Sequence, residues 1–199
     1  MTPKKKNRGV DFPVMTSEEE FKVPARYPEG RDLDADVGLW WVLHTRPRCE
    51  RQVAAYLLNL KISYYLPLYR RRTRYGNLGR TRTAEVPLFS GYVCFALDKQ
   101  DHKLLYDTKK FVRIIKVDNQ QRFVKELQAV AKAVETQDDL VVHGGLTPGR
   151  RILIVSGPMA GYEGVIVKRR GKRHLALSVE IFNQTVLVRL DPSTLLEPL

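Results

Sequence analysis

Val86-Pro-Leu-Phe-Ser-Gly-Tyr-Val-Cys-Phe-Ala-Leu97 is the stretch on which the fold turns. Phe89, Tyr92, Val93 and Phe95 favour extended backbone, and Pro87, Ser90 and Gly91 interrupt it. Apolar and polar residues do not alternate, which predicts a central strand buried on both faces. Gly91 predicts a bulge or a close backbone approach. Two readings stay open on these residues alone: a kinked core strand, or a strand whose end shows aromatic surface to a partner.

Outward from this stretch the chain is strongly basic. Its 199 residues carry a net charge of +12, and 43% of them are apolar, enough for a real core. Residues 39–118 hold 16 Lys and Arg against 6 Asp and Glu, so most of the excess sits there. Such a field favours a polyanionic partner, nucleic acid first of all. Cys49 and Cys94 form no CxxC, which argues against a zinc ribbon or a disulfide framework and fits a reducing compartment. No apolar run approaches the roughly 18 residues of a membrane span. Lys4–Lys6 precede no hydrophobic segment, so no secretory signal is read. A cytoplasmic protein without a membrane partner is expected. His44, His102, His143 and His174 are scattered, with no Cys or carboxylate at metal spacing. No GxxxxGK[ST] loop occurs. Neither enzyme, nor metal site, nor cofactor is expected.

In chain order, residues 1–38 read as a disordered arm punctuated by Pro3, Pro13, Pro24 and Pro28. Leu39–Thr45 reads as a strand. Arg46-Pro47 then turns the chain into a helix carrying Val53, Leu57 and Leu60 on one face, with Cys49 in phase. Arg46, Arg48, Arg51 and Gln52 form a polar, basic patch at its start, where positive charge opposes the helix dipole. Ile62–Tyr69 is a second strand, prolonged by Arg70–Tyr75, a Gly76–Gly79 turn and a returning Arg80–Thr83. Arg70, Arg72 and Arg74 share one side of this hairpin, a pattern suited to phosphate contact. Asp98 is placed to cap a short helix running to Thr108, Phe111–Val117 is a strand, and Asn119 caps a helix striped by Phe123, Leu127, Val130, Ala131 and Val134. A small α+β domain over 39–135, an antiparallel sheet flanked by helices, is therefore expected. A linker over 136–148 separates it from residues 149–199, whose five short β-runs predict a small five-stranded barrel.

Two segments carry a family resemblance. Gly149–Val167, with Ser156-Gly-Pro and Gly164 opening a strand, resembles the KOW motif. Gly157 and Gly161 suit tight turns, Pro158 sets the entry, and Gly164 suits a close backbone approach. Trp41–Val117 resembles the NusG N-terminal domain, above all in its Phe-x-Gly-Tyr-Val strand. Val179–Phe182 and Val188–Asp191 are similar to the end of that family's C-terminal domain.

The resemblance implies control of transcription elongation or antitermination. It places RNA polymerase docking on Phe89, Tyr92 and Cys94, with Trp40 and His44, and a contact across the polymerase cleft at Asp107 and Thr108. It implies non-template DNA or nascent RNA on the basic patch with Lys109 nearby, and a ribosomal protein or Rho at Ile181 and Phe182. The charge, the Arg-rich hairpin and the N-terminal arm favour a specialised, RfaH-like, operon-specific member acting as a monomer. The alternatives are a general housekeeping NusG and a KOW-type ribosomal or RNA-binding protein.

Overall fold

The computed structural model describes residues 22–75, 80–98, 102–137 and 140–199; the N-terminal part of the expected arm, the hairpin turn and the Arg74 side chain lie outside the described residues. The expectation of disorder over 1–38 fails for 22–38. A short strand, β1 (Arg26–Tyr27), adds to the edge of a sheet. Arg26 meets the buried carboxylate of Asp36 at 2.8 Å, Leu33 enters the core, and the Tyr27 ring stacks on Tyr64. Prolines and mixed charge made this stretch look unfoldable by itself. It orders because a few apolar groups find a preformed sheet edge.

The next elements follow the predicted order: β2 (Leu39–Thr45), α1 (Glu50–Asn59), β3 (Ser63–Tyr65), then the ribbon β4 (Leu68–Tyr75) and β5 (Arg80–Pro87). After them come β6 (Tyr92–Leu97), α2 (Lys103–Tyr106), β7 (Phe111–Lys116) and α3 (Gln120–Thr136). The sheet runs β1-β3-β6-β2-β7, so β6 is the buried central strand expected of it. It begins only at Tyr92. Val86 and Pro87 end β5, and Leu88–Gly91 form a turn with Gly91 at φ +86°. Proline ends the ladder and glycine supplies the left-handed corner. α1 also starts later than expected: Pro47 sits in the preceding turn, Arg48 is left-handed at φ +61°, and Cys49 is the residue before the helix. α2 is shorter than the helix expected up to Thr108. Asn119 caps α3 as predicted, its side chain accepting the Arg122 N–H at 3.0 Å.

Directly opposed residues share a sheet face. Trp40↔Ala96, Val42↔Cys94 and His44↔Tyr92 therefore line one face, and Trp41↔Phe95 and Leu43↔Val93 the other. The second face packs on Val53, Ala54 and Leu57 of α1. The first packs on Phe123, Leu127 and Val130 of α3.

The C-terminal part departs from a five-stranded barrel. It contains β8 (Val141–Gly144), β9 (Arg151–Ile154), β10 (Glu163–Arg169), β11 (Lys172–Val179), β12 (Gln184–Arg189) and β13 (Leu196–Pro198). These make one six-stranded antiparallel sheet, β13-β9-β10-β11-β12-β8, with β13 and β8 as its edges. The sixth strand comes from the expected linker. Val141 and Val142 pair with Leu187 and Val186, because an unpaired β12 edge offers backbone partners that a free linker lacks.

Candidate functional site

Three loops meet where β2 ends. The Thr45 N–H donates to the Gly91 carbonyl at 2.8 Å, and the Arg46 N–H to the Lys110 carbonyl at 2.8 Å. Glu50, buried at the start of α1, accepts the Gly91 N–H through Oε1 at 2.6 Å. An acid at this position also suits the helix dipole. The Lys110 N–H donates to Thr108 Oγ1 at 2.9 Å, which fixes the 107–110 loop internally. The turn at 88–91, the basic turn at 46–49 and the loop at 107–110 are thus one surface.

Its aromatic part is built from sheet and turn. His44 and Tyr92, opposed across β2 and β6, stack with centroids 5.1 Å apart and an interplanar angle of 19°. Phe89 in the turn is buried. Trp40 and Cys94, expected as docking residues, lie in the core instead. The Trp40 indole donates to the Leu33 carbonyl at 3.2 Å and its ring lies against Phe123. Burial pushes the Cys94 thiol well up, so it stays a neutral apolar group. Both support the aromatic patch from beneath.

The patch is covered. After β11 a 3-10 turn, Glu180–Phe182, ends at left-handed Asn183, and the Phe182 ring reaches the first domain. Its centroid lies 4.8 Å from Phe89, 4.8 Å from Tyr92 and 6.1 Å from Phe123. Around this contact Arg122 bridges Glu126 at 3.0 Å and Glu180 at 2.6 Å. The Glu180 N–H donates to Glu126 Oε2 at 3.2 Å. Gln137 exchanges two hydrogen bonds with the Arg189 backbone, at 2.6 and 2.9 Å. Burial raises the carboxyl of Glu126 above its ordinary range, against the opposing pull of the Glu180 N–H and Arg122. Ile181 is half-buried beside Phe182.

The basic part is divided. Arg46, Arg48 and Lys109 are exposed, and Gln52 is half-buried. Arg51 is not available in the same way: its guanidinium donates to the Glu85 carbonyl at 3.0 Å and pairs with the Glu85 carboxylate at 3.2 Å. It pins α1 to the hairpin, and its charge is offset by Glu85. Arg70 and Arg72 are exposed on β4 and share a face with Glu85 and Thr83. The Arg51–Glu85 contact therefore places the helix patch and the hairpin side by side. Asp107 is exposed and Thr108 half-buried.

In the C-terminal sheet Gly157 and Gly161 take φ +87° and +86°, with Pro158 between them. A Cβ on Gly164 would stand 2.7 Å from the Ala176 carbonyl oxygen. The close approach expected there is present.

Sequence reasoning missed Glu50, Phe123, Arg122 and Gln137 as parts of this site. Glu50 carried one legible signal, a lone acid opening a basic helix. The other three are ordinary residues of a helix and its end, and only their cross-domain contacts mark them. Tyr106 was also missed: it is largely exposed, beside Lys109, with its ring 5.3 Å from Phe111.

Fold and site together define an α+β binding domain with an aromatic face and a basic end, joined to an antiparallel sheet. The family model described as transcription termination factor NusG matches residues 38–143, and the chain belongs to the NusG family. The curated proteins contain no match to it. NusG proteins are transcription elongation factors rather than enzymes, and they typically interact with RNA polymerase. Among the described residues no helix is long and apolar enough to cross a membrane.

Proposed function

We infer that the chain is an operon-specific transcription elongation and antitermination factor acting in the cytoplasm as a monomer. The first domain docks on RNA polymerase through His44, Phe89 and Tyr92. Asp107 and Thr108 face the opposite side of the cleft, and Arg46, Arg48, Gln52, Lys109, Arg70 and Arg72 hold the exposed non-template DNA strand. The C-terminal sheet, read as a KOW domain, recruits a ribosomal protein or Rho through Ile181 and Phe182. The observation that carries this reading is the stacked His44–Tyr92 pair beside Phe89, on the surface it shares with the basic turn at 46–49. Opposed aromatic rings at a strand end make an anchor of the kind that dominates protein interfaces.

Tyr92→Ala is expected to weaken binding of core RNA polymerase by more than about 1 kcal/mol, roughly fivefold or more. Equal affinity of a folded Tyr92→Ala chain, read by fluorescence anisotropy, would sink the docking claim.

The double variant Arg46→Ala/Arg48→Ala should weaken binding to single-stranded DNA and flatten its salt dependence. Each lost phosphate contact removes roughly 0.7 from the slope of log K against log salt. An unchanged slope in a titration from low to physiological salt would remove these arginines from the DNA path.

A further inference from the structure

We propose that the two docking faces are each other's occupant, so that polymerase and the partner of the C-terminal sheet bind cooperatively without touching. This rests on the function proposed above. Phe182, given there to the sheet's own partner, is buried against Phe89 and Tyr92, given there to polymerase. One ring cannot occupy two environments. Polymerase must displace Phe182 to reach Tyr92, and a partner of the sheet must draw Phe182 away from Tyr92.

The contact has the build of a releasable lid. Its centre is a single aromatic plug. Its rim is a set of polar contacts, Arg122–Glu180 with both side chains about half exposed, and Gln137 on the Arg189 backbone. Exposed pairs of this kind hold weakly and re-solvate readily. The faces beneath have their own support on both sides: α3 lies under Phe182 on the sheet of the first domain, and β12 pairs with β8 and β11 in the second. Opening therefore separates two supported units.

The arithmetic is that of linkage. If the closed form is favoured by a factor K, the affinity of either ligand is reduced by 1 + K, and the first ligand to bind removes that reduction for the second. The effect is the same in both directions. Couplings of this kind are ordinarily about fivefold or more.

The structure supplies its own reporters. The Glu180 N–H donates across the interface to Glu126, and the Arg189 N–H to Gln137 at the end of α3. Amide hydrogen exchange at Glu180 and Arg189 in the full chain therefore reads opening directly. Glu180→Lys, which opposes Arg122, should speed exchange at these two amides and tighten binding of core RNA polymerase about fivefold or more. The swap Arg122→Glu/Glu180→Lys should restore both values toward those of the native chain, which a merely unfolded variant would not do. Phe182→Ala should act in the direction of Glu180→Lys, opposite to Tyr92→Ala across the same contact. Adding polymerase to the native chain should speed exchange at Glu180. Equal polymerase affinity of native chain and Glu180→Lys, with Tyr92→Ala still weaker, overturns the coupling and leaves docking standing. Failure of every variant to bind polymerase overturns both.

Discussion

Gly164→Ala is expected to destabilise the C-terminal sheet by about 2–3 kcal/mol, the upper range for forcing extra volume into a packed site. The position is an ordinary strand residue in β10, paired with Ile152 of β9, so no unusual dihedral angle requires glycine there. What requires it is space. A Cβ would stand 2.7 Å from the Ala176 carbonyl oxygen and 2.7 Å from Leu175 Cδ1. The leucine can turn aside, but the carbonyl belongs to β11 and cannot move without disturbing the register of β10 and β11. Trp40 and Trp41 are the only tryptophans and both lie in the first domain. Loss of β-structure by circular dichroism should therefore occur at lower denaturant than the change in tryptophan fluorescence. Coincident, native-like transitions would show that the sheet absorbs the methyl group.

Glu50→Ala is the second large effect, about 1–3 kcal/mol from the unpaired Gly91 N–H alone. The Glu50 carboxylate is buried and accepts that N–H at 2.6 Å. Alanine leaves the donor facing apolar neighbours with no partner, and it also removes a favourable negative charge from the first turn of α1. The consequence reaches function. The Gly91 carbonyl holds the Thr45 N–H, and Phe89 and Tyr92 flank Gly91, so the aromatic patch loses its brace. Glu50→Gln keeps an acceptor and should be milder in both respects. Urea unfolding followed by tryptophan fluorescence checks the order native, Gln, Ala. An Ala variant as stable as the native chain would show that the turn is held by other means.

Much of the first domain was legible because its elements obey local rules. Asn119 followed by a helical stripe, and the uninterrupted apolar run of 92–97, are signals set by backbone hydrogen bonding and side-chain period. Boundaries were less legible. Pro87 and Gly91 were read as a kink within one strand, whereas they bracket the turn between two. The partnership of 22–38 with the sheet edge was illegible, since Arg26 and Asp36 become an ion pair only when Leu33 is already docked. The fate of Arg51 was equally hidden: its partner Glu85 lies on another element.

The candidate site divides along the same line. Phe89, Tyr92, Arg46 and Phe182 were found from residue type and family resemblance, each within its own segment. That Phe182 rests on Phe89 and Tyr92 follows from no local pattern. By itself the sequence determined the strand and helix periods, the capping of α3, the glycine turns and the concentration of positive charge in residues 39–118. These depend on neighbours a few bonds away. Only the tertiary structure decided that the predicted linker would complete a sheet as β8, that Trp40 and Cys94 would be core, and that the aromatic face would be covered by the C-terminal domain. Those outcomes depend on which surfaces lose most water when brought together, and that is a property of the assembled faces rather than of any one stretch of chain.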